Sequence, residues 1–184
     1  LANSKTKYGG KTRIFAPVAY CAVIEFPSVQ AAIDCWDDEE DYAEARKLLG
    51  DPETDVVERR VCVIEADPLP ELKPGQGFWI NHVHAVKDQE KFMAYAGQSI
   101  PLFSSATMGP VAHQHVGAGA TSYTVAFAAL FGLESAQAGL DMPASDAYKA
   151  AKAAGGMAEG EDDVVDRTIC VIEYDQQYDQ LAAK

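Results

Sequence analysis

The chain repeats part of itself. Val56-Val57-Glu58-Arg59-Arg60-Val61-Cys62-Val63-Ile64-Glu65-Ala66-Asp67 matches Val164-Val165-Asp166-Arg167-Thr168-Ile169-Cys170-Val171-Ile172-Glu173-Tyr174-Asp175 at eight of twelve positions. Upstream, Tyr20 to Phe26 parallels Tyr123 to Phe131: each is an apolar run ending in Phe and leading into a helical stretch, with Tyr42 and Tyr148 at similar places. Such self-similarity implies two copies of one structural unit. Any fold for this chain must therefore give two apolar strands of one pattern equivalent roles.

The join between the copies is Asp67-Pro68-Leu69-Pro70-Glu71-Leu72-Lys73-Pro74-Gly75-Gln76-Gly77. Its prolines and glycines predict an extended connector rather than a helix or strand. Residues 1–67 form the first repeat, 68–77 the linker and 78–184 the second repeat.

The second repeat reads as complete. A strand is expected over Phe78 to Val86, and Asp88 is a good N-cap for a helix to about Gln98. Met108 to Gly117 and Ser122 to Phe131 read as further strands. Ser135 to Ala154 reads as helical, broken near Pro143, with Ser145 capping the restart. Val164 to Tyr174 closes the unit. The order β-α-β-β-α-β is the split motif of ferredoxin-like folds.

The first repeat lacks the opening strand. Leu1 to Lys7 falls where the end of the first helix is expected. Strands are then expected near Thr12 to Val18, at Tyr20 to Phe26 and at Val56 to Ala66, with a helical region from about Val29 to Leu49. A sheet lacking an inner strand would expose an edge and open the core, so residues upstream of Leu1 are the favoured explanation. The fold class expected is α+β: two tandem ferredoxin-like units that pair as an internal pseudo-dimer.

Composition bounds the function. Hydrophobic residues make up 48% of the chain, enough for a packed core, and formal net charge is −13. An acidic surface repels phosphate, which argues against nucleic acid and anionic membranes as partners. No run of about 18 apolar residues exists to cross a bilayer. A cytoplasmic location is expected, although the start at Leu1 leaves an upstream signal open. Cys21, Cys62 and Cys170 sit in apolar runs, where a thiol behaves as a small core group.

Several stretches resemble the domain-of-unknown-function 1330 family. Gly77-Phe78-Trp79-Ile80-Asn81-His82-Val83-His84-Ala85-Val86-Lys87-Asp88 resembles its opening strand and helix start. Tyr8-Gly9-Gly10-Lys11 resembles its turn before the second strand. Val23-Ile24-Glu25-Phe26-Pro27-Ser28, with Trp36 and Tyr42, resembles its central signature. The second repeat departs there, with Phe131-Gly132-Leu133-Glu134-Ser135 and no tryptophan in the place of Trp36. The resemblance implies a dimeric α+β barrel, in which two ferredoxin-like sheets enclose a cavity and the helices lie outside. It implies a pocket and no particular reaction.

All four histidines occur as two His-x-His pairs, His82 with His84 and His113 with His115. On a strand, residues two apart share a face, so each pair sets two imidazoles side by side. Alternation puts Trp79, Asn81, Val83 and Ala85 on one face and Phe78, Ile80, His82 and His84 on the other. The helices are expected over the first face, leaving the histidines toward the cavity. On the neighbouring third strand, Thr124, Ala126 and Ala128 form a small-residue register, while Tyr123, Val125 and Phe127 form a large one.

Three functional readings follow. In the first, His82, His84, His113 and His115 supply acid–base catalysis for a lyase, isomerase or cyclase acting without a cofactor on a small, largely apolar molecule. Tyr123 or Glu173 then serves as a second proton-transfer group. In the second, the same four histidines hold a divalent metal such as zinc, iron, manganese or copper. In the third, they satisfy local hydrogen bonds in a non-catalytic ligand-binding or stress-related module. The sequence leaves room for a homo-oligomer.

Overall fold

The computed structural model of the protein describes residues 5–14, 20–37, 40–47, 60–66, 72–116, 125–157 and 164–174. Seven strands and five α-helices alternate along them. The first half holds β1 (Lys5–Ile14), β2 (Tyr20–Glu25), α1 (Val29–Asp37), α2 (Glu40–Lys47) and β3 (Arg60–Ile64). The second holds β4 (Gly77–Val86), α3 (Gln89–Ser99), β5 (Ser105–Val116), β6 (Phe127–Leu133), α4 (Ala136–Asp141), α5 (Asp146–Ala154) and β7 (Val165–Glu173). The class is α+β, with one antiparallel sheet in the order β2-β1-β7-β4-β6-β5-β3.

Helix boundaries follow local chemistry. Asp88 Oδ1 accepts from the Lys91 N–H at 3.1 Å and starts α3. That hydrogen bond, more than any other influence, holds the Asp88 carboxyl below its usual pKa. Ser135 and Ser145 cap α4 and α5 through the N–H groups of Ala138 and Tyr148, at 3.1 and 3.2 Å. The expected break at Pro143 is a 3-10 turn, Met142–Ala144, between the two helices. Trp36 is buried on α1, with its ring 5.5 Å from that of Tyr42 on α2.

The start of the chain differs from expectation. Lys5, Thr6 and Lys7 belong to a strand rather than to a helix end, and β1 runs through Tyr8-Gly9-Gly10-Lys11 without turning. Its ladder with β2 absorbs the irregularity as a register shift between Thr6 and Tyr8. Tertiary pairing thus overrides the turn preference of Gly-Gly, which in a strand commonly marks a bulge. The expected strand at Val56 begins within the described residues at Arg60, and the helical stretch to Leu49 is described as two helices.

Two cores lie on opposite faces of the sheet. Beneath α3, α4 and α5 sit Trp79 and Val83 of β4, Ala129, Phe131 and Leu133 of β6 and Val171 of β7, packed against Tyr95, Ala136, Tyr148 and Ala151. On the other face are Phe78, Ile80, Leu130, Cys170, Ile172 and Tyr174. Cys21 and Val23 from β2 and Ile64 from β3 pack on this second cluster. Those strands are the opposite ends of the sheet, which in a flat sheet would stand about 29 Å apart, six spacings of ~4.8 Å. Each reaches the cluster across one intervening strand, β1 or β5, on the concave face of a sheet that curls as a half-barrel away from α3–α5.

The linker is ordered where it is described. Lys73-Pro74-Gly75-Gln76 turns with Gly75 at φ 84°, a conformation glycine adopts at little cost. Gln76 O then accepts from the Tyr174 N–H at 2.7 Å, which ties the turn to the end of β7.

Candidate functional site

The site is assembled on the concave face of β4. His82 pairs across the sheet with Ala128 on β6 and with Thr168 on β7. Directly paired residues project to one side, and Ile80, Leu130 and Cys170, two positions along, belong to the concave core. His82 therefore stands opposite the helices. Ala128, one residue of the small register, shares this face, since it lies between His82 and Gly109 of β5.

A bulge interrupts β4 between Val83, which pairs with Arg167, and Ala85, which pairs with Asp166. His84 is the additional residue. Its Nε2 lies 2.9 Å from Thr168 Oγ1, so its ring returns to the side of His82. Bulges re-aim side chains in this way near functional sites. Thr168 can donate or accept and thus serves either tautomer of His84. Both histidines are half-buried.

The opposite face of the same strand is structural. Trp79 Nε1 donates to Asn81 Oδ1 at 3.3 Å beneath the helices, which accounts for a buried amide there. Arg167, facing Val83, donates to Tyr95 Oη at 3.0 Å and Tyr148 Oη at 3.1 Å, and the two hydroxyls lie 2.8 Å apart. Arg167 thus anchors a tyrosine pair between α3 and α5.

The other candidates are distributed differently. His113 and His115 lie on β5 beyond its pairing with β6, where it pairs with β3: His113 faces Val63 and His115 faces Val61. Their side chains, and all of Tyr123, lie outside the described residues. His113 is four residues past Gly109, so on a flat sheet its Cα would stand about 16 Å from that of His82, a distance the curl shortens. A register shift between Val63 and Ile64 breaks simple alternation before His113. Glu173 pairs with Gly77 at the far end of β4, about 17 Å along the strand from the row of His82. Among the described residues no three His, Cys, Asp or Glu side chains are placed to hold one metal ion.

Two features of the concave side were not visible in the sequence. One is Thr168, an ordinary strand residue until the register places it beside His82. The other is the approach of the chain after β3: a Cβ on Gly109 would stand 2.1 Å from the Glu65 carbonyl oxygen. Glycine at this position permits the close backbone approach.

Cys21 and Cys170 lie on the same side. Cys170 is hydrogen-bonded to Cys21, which raises the Cys170 thiol and lowers that of Cys21, as expected when Cys170 is the donor. Burial pushes Cys62 from an ordinary 9.0 up to about 11. These thiols are protonated packing groups at neutral pH, except that Cys21 is biased toward the thiolate.

Compared with known proteins, the chain matches no family model, and no curated protein is significantly similar to it. Among the described residues no helix is long and apolar enough to cross a membrane.

Proposed function

We propose that the chain is a tandem ferredoxin-like pseudo-dimer of the kind its resemblance to the domain-of-unknown-function 1330 family implies. In this reading it is a small-molecule enzyme of the lyase, isomerase or cyclase type. His82 and His84 move protons within the half-barrel, on a largely apolar substrate seated over Ala128. The observation that carries the reading is the bulge at His84, whose ring bonds Thr168 beside His82. Imidazole is the side chain most often used as general acid or base. The apolar residues Ile80, Leu130 and Ile172 lie on the same face as the pair.

In this mechanism His84 is the catalytic base, and Thr168 is a positioning residue that fixes its ring. His82 is the second proton carrier, next along the strand. His113 and His115 enter from β5 as further candidates, and Tyr123 and Glu173 as auxiliary proton-transfer groups.

The experiment is a turnover screen over small lactones, enols and activated carbonyl compounds, with metal quantified in the same protein. Loss of a detected activity in His84→Ala and His82→Ala, in protein without stoichiometric metal, supports the reading. Stoichiometric metal that His113→Ala removes would replace it with a metalloenzyme held by the four histidines. Equal turnover in wild type and both alanine variants would leave only a binding or structural role.

A further inference from the structure

We propose that Cys21 and Cys170 form a dithiol switch, which a small disulfide oxidises to one disulfide bond joining β2 to β7. This inference rests on the placement of the two thiols and is independent of the histidine chemistry.

Placement comes first. Cys170 of β7 belongs to the concave core, and Cys21 packs on that same cluster from β2. β1 is the strand between them in the sheet, and there Cys21 pairs with Gly10 while Cys170 pairs with Ile14. Gly10 sets no side chain beside Cys21, which leaves the β2 thiol room to lean over β1 toward β7. Both cysteines are free, and their thiols are hydrogen-bonded to each other. Such a bond already brings the two sulfurs into contact, and a disulfide shortens that contact to about 2.05 Å.

The two thiols differ as a reacting pair requires. Cys21 is half-buried on the strand that ends the described sheet, whereas Cys170 is only 8% exposed, so a reagent reaches Cys21 first. The hydrogen bond from Cys170 holds the Cys21 sulfur toward the thiolate, the form that attacks a disulfide. The same bond, together with burial, keeps Cys170 protonated until Cys21 has reacted. Cys62 is the internal comparison. It stands at the repeat position that matches Cys170, yet burial is the cause of its shift and no second thiol contributes.

The reaction balances as two exchanges. The Cys21 thiolate attacks one sulfur of the small disulfide, and the other sulfur leaves as a thiolate with the bonding electron pair. Cys170 then gives its proton to that thiolate, and its sulfur attacks Cys21 in the mixed disulfide. The second reagent thiolate leaves and recovers from solvent the proton that Cys21 had released. Two protein thiols are oxidised by two electrons, and the small disulfide is reduced to two thiols. The new bond forms close to the candidate site, since Cys170 and its partner Ile80 lie two residues from Thr168 and His82.

The test incubates the folded 184-residue chain in glutathione buffers from fully reduced to fully oxidised, blocks free thiols with an alkylating agent and maps linked peptides by mass. Expected is the loss of two thiols per chain, with Cys21 joined to Cys170 and Cys62 still free. Cys170→Ser should trap one glutathione on Cys21, and Cys21→Ser should slow the oxidation of Cys170 by about tenfold or more. The wild-type map stands without either variant should one fail to fold. Thiols that all remain free at the most oxidising ratio, a different cysteine pair, or a bond between two chains would each overturn the proposal. So would a glutathione that stays on Cys21 in the wild type, because Cys170 would then fail to displace it.

Discussion

Thr168 is paired with His82 in the β4–β7 ladder, yet its hydroxyl bonds His84, at 2.9 Å from Nε2. One residue is thereby tied to both members of a His-x-His pair, to His82 through the ladder and to His84 through its hydroxyl. The bulge at His84 makes this possible by adding a residue to β4 against its partner.

The first prediction concerns that link. Thr168→Val keeps the volume and removes the hydroxyl. The His84 ring should then lose its preferred orientation and sample both tautomers, while the sheet stays intact. Side-chain nitrogen spectra of the histidines check this: His84 signals should shift toward averaged values. An unchanged His84 spectrum would show that Thr168 does not hold the ring.

Tyr148 makes the second. It is 2% exposed and joins Arg167 and Tyr95 through its hydroxyl. Tyr148→Phe removes both bonds and leaves the guanidinium short of an acceptor, at a cost of about 1–3 kcal/mol. Denaturant unfolding measures it. Tyr95→Phe and the double variant should be less than additive, because the three groups form one network.

Gly109 supplies the third. Any side chain there meets the Glu65 carbonyl. Gly109→Val should destabilise the protein by about 1–3 kcal/mol, the usual range for overpacking. Faster amide exchange is expected at Arg60–Ile64 first, because the displaced backbone directly follows β3. Uniform loss of protection across the sheet would argue against that local origin.

The fourth is a pH effect. The folded Cys62 thiol titrates near 11, against 9.0 ordinarily. Between those values the unfolded chain has released this proton and the folded chain retains it, so stability falls as pH rises. The contribution is fully present below about 9 and lost as pH passes about 11. Cys62→Val should flatten the decline measured by denaturant unfolding across that interval, with little change at neutral pH.

Much of the second half was legible because its signals are local. Asp88, Ser135 and Ser145 cap helices where their side chains can reach the first-turn amides, and Pro143 interrupts a helix for want of an N–H. The two faces of β4 followed from period-two alternation, and the buried Trp79 and Val83 lie under the helices as the apolar pattern required. What was not legible depends on partners distant in sequence. Gly9-Gly10 reads as a turn until β2 supplies a ladder, and the pairings β1 with β7 and β3 with β5 join the halves through register. His84 shows the limit within a single strand: its alternation was readable, but the bulge depends on how β7 fits against β4. The roles of His113 and His115 pass through a second register shift for the same reason.

β7 lies between β1 of the first half and β4 of the second, and it is the last strand among the described residues. During synthesis, β1 and β4 must therefore wait for a neighbour that leaves the ribosome after the other described strands. Until then each presents an unpaired edge to chaperones and to other nascent chains. Rapid completion of this sheet depends on how quickly the final segment finds its place between two waiting strands, and a ribosomal pause shortly before Val165 would prolong the interval in which the chain is most prone to aggregate.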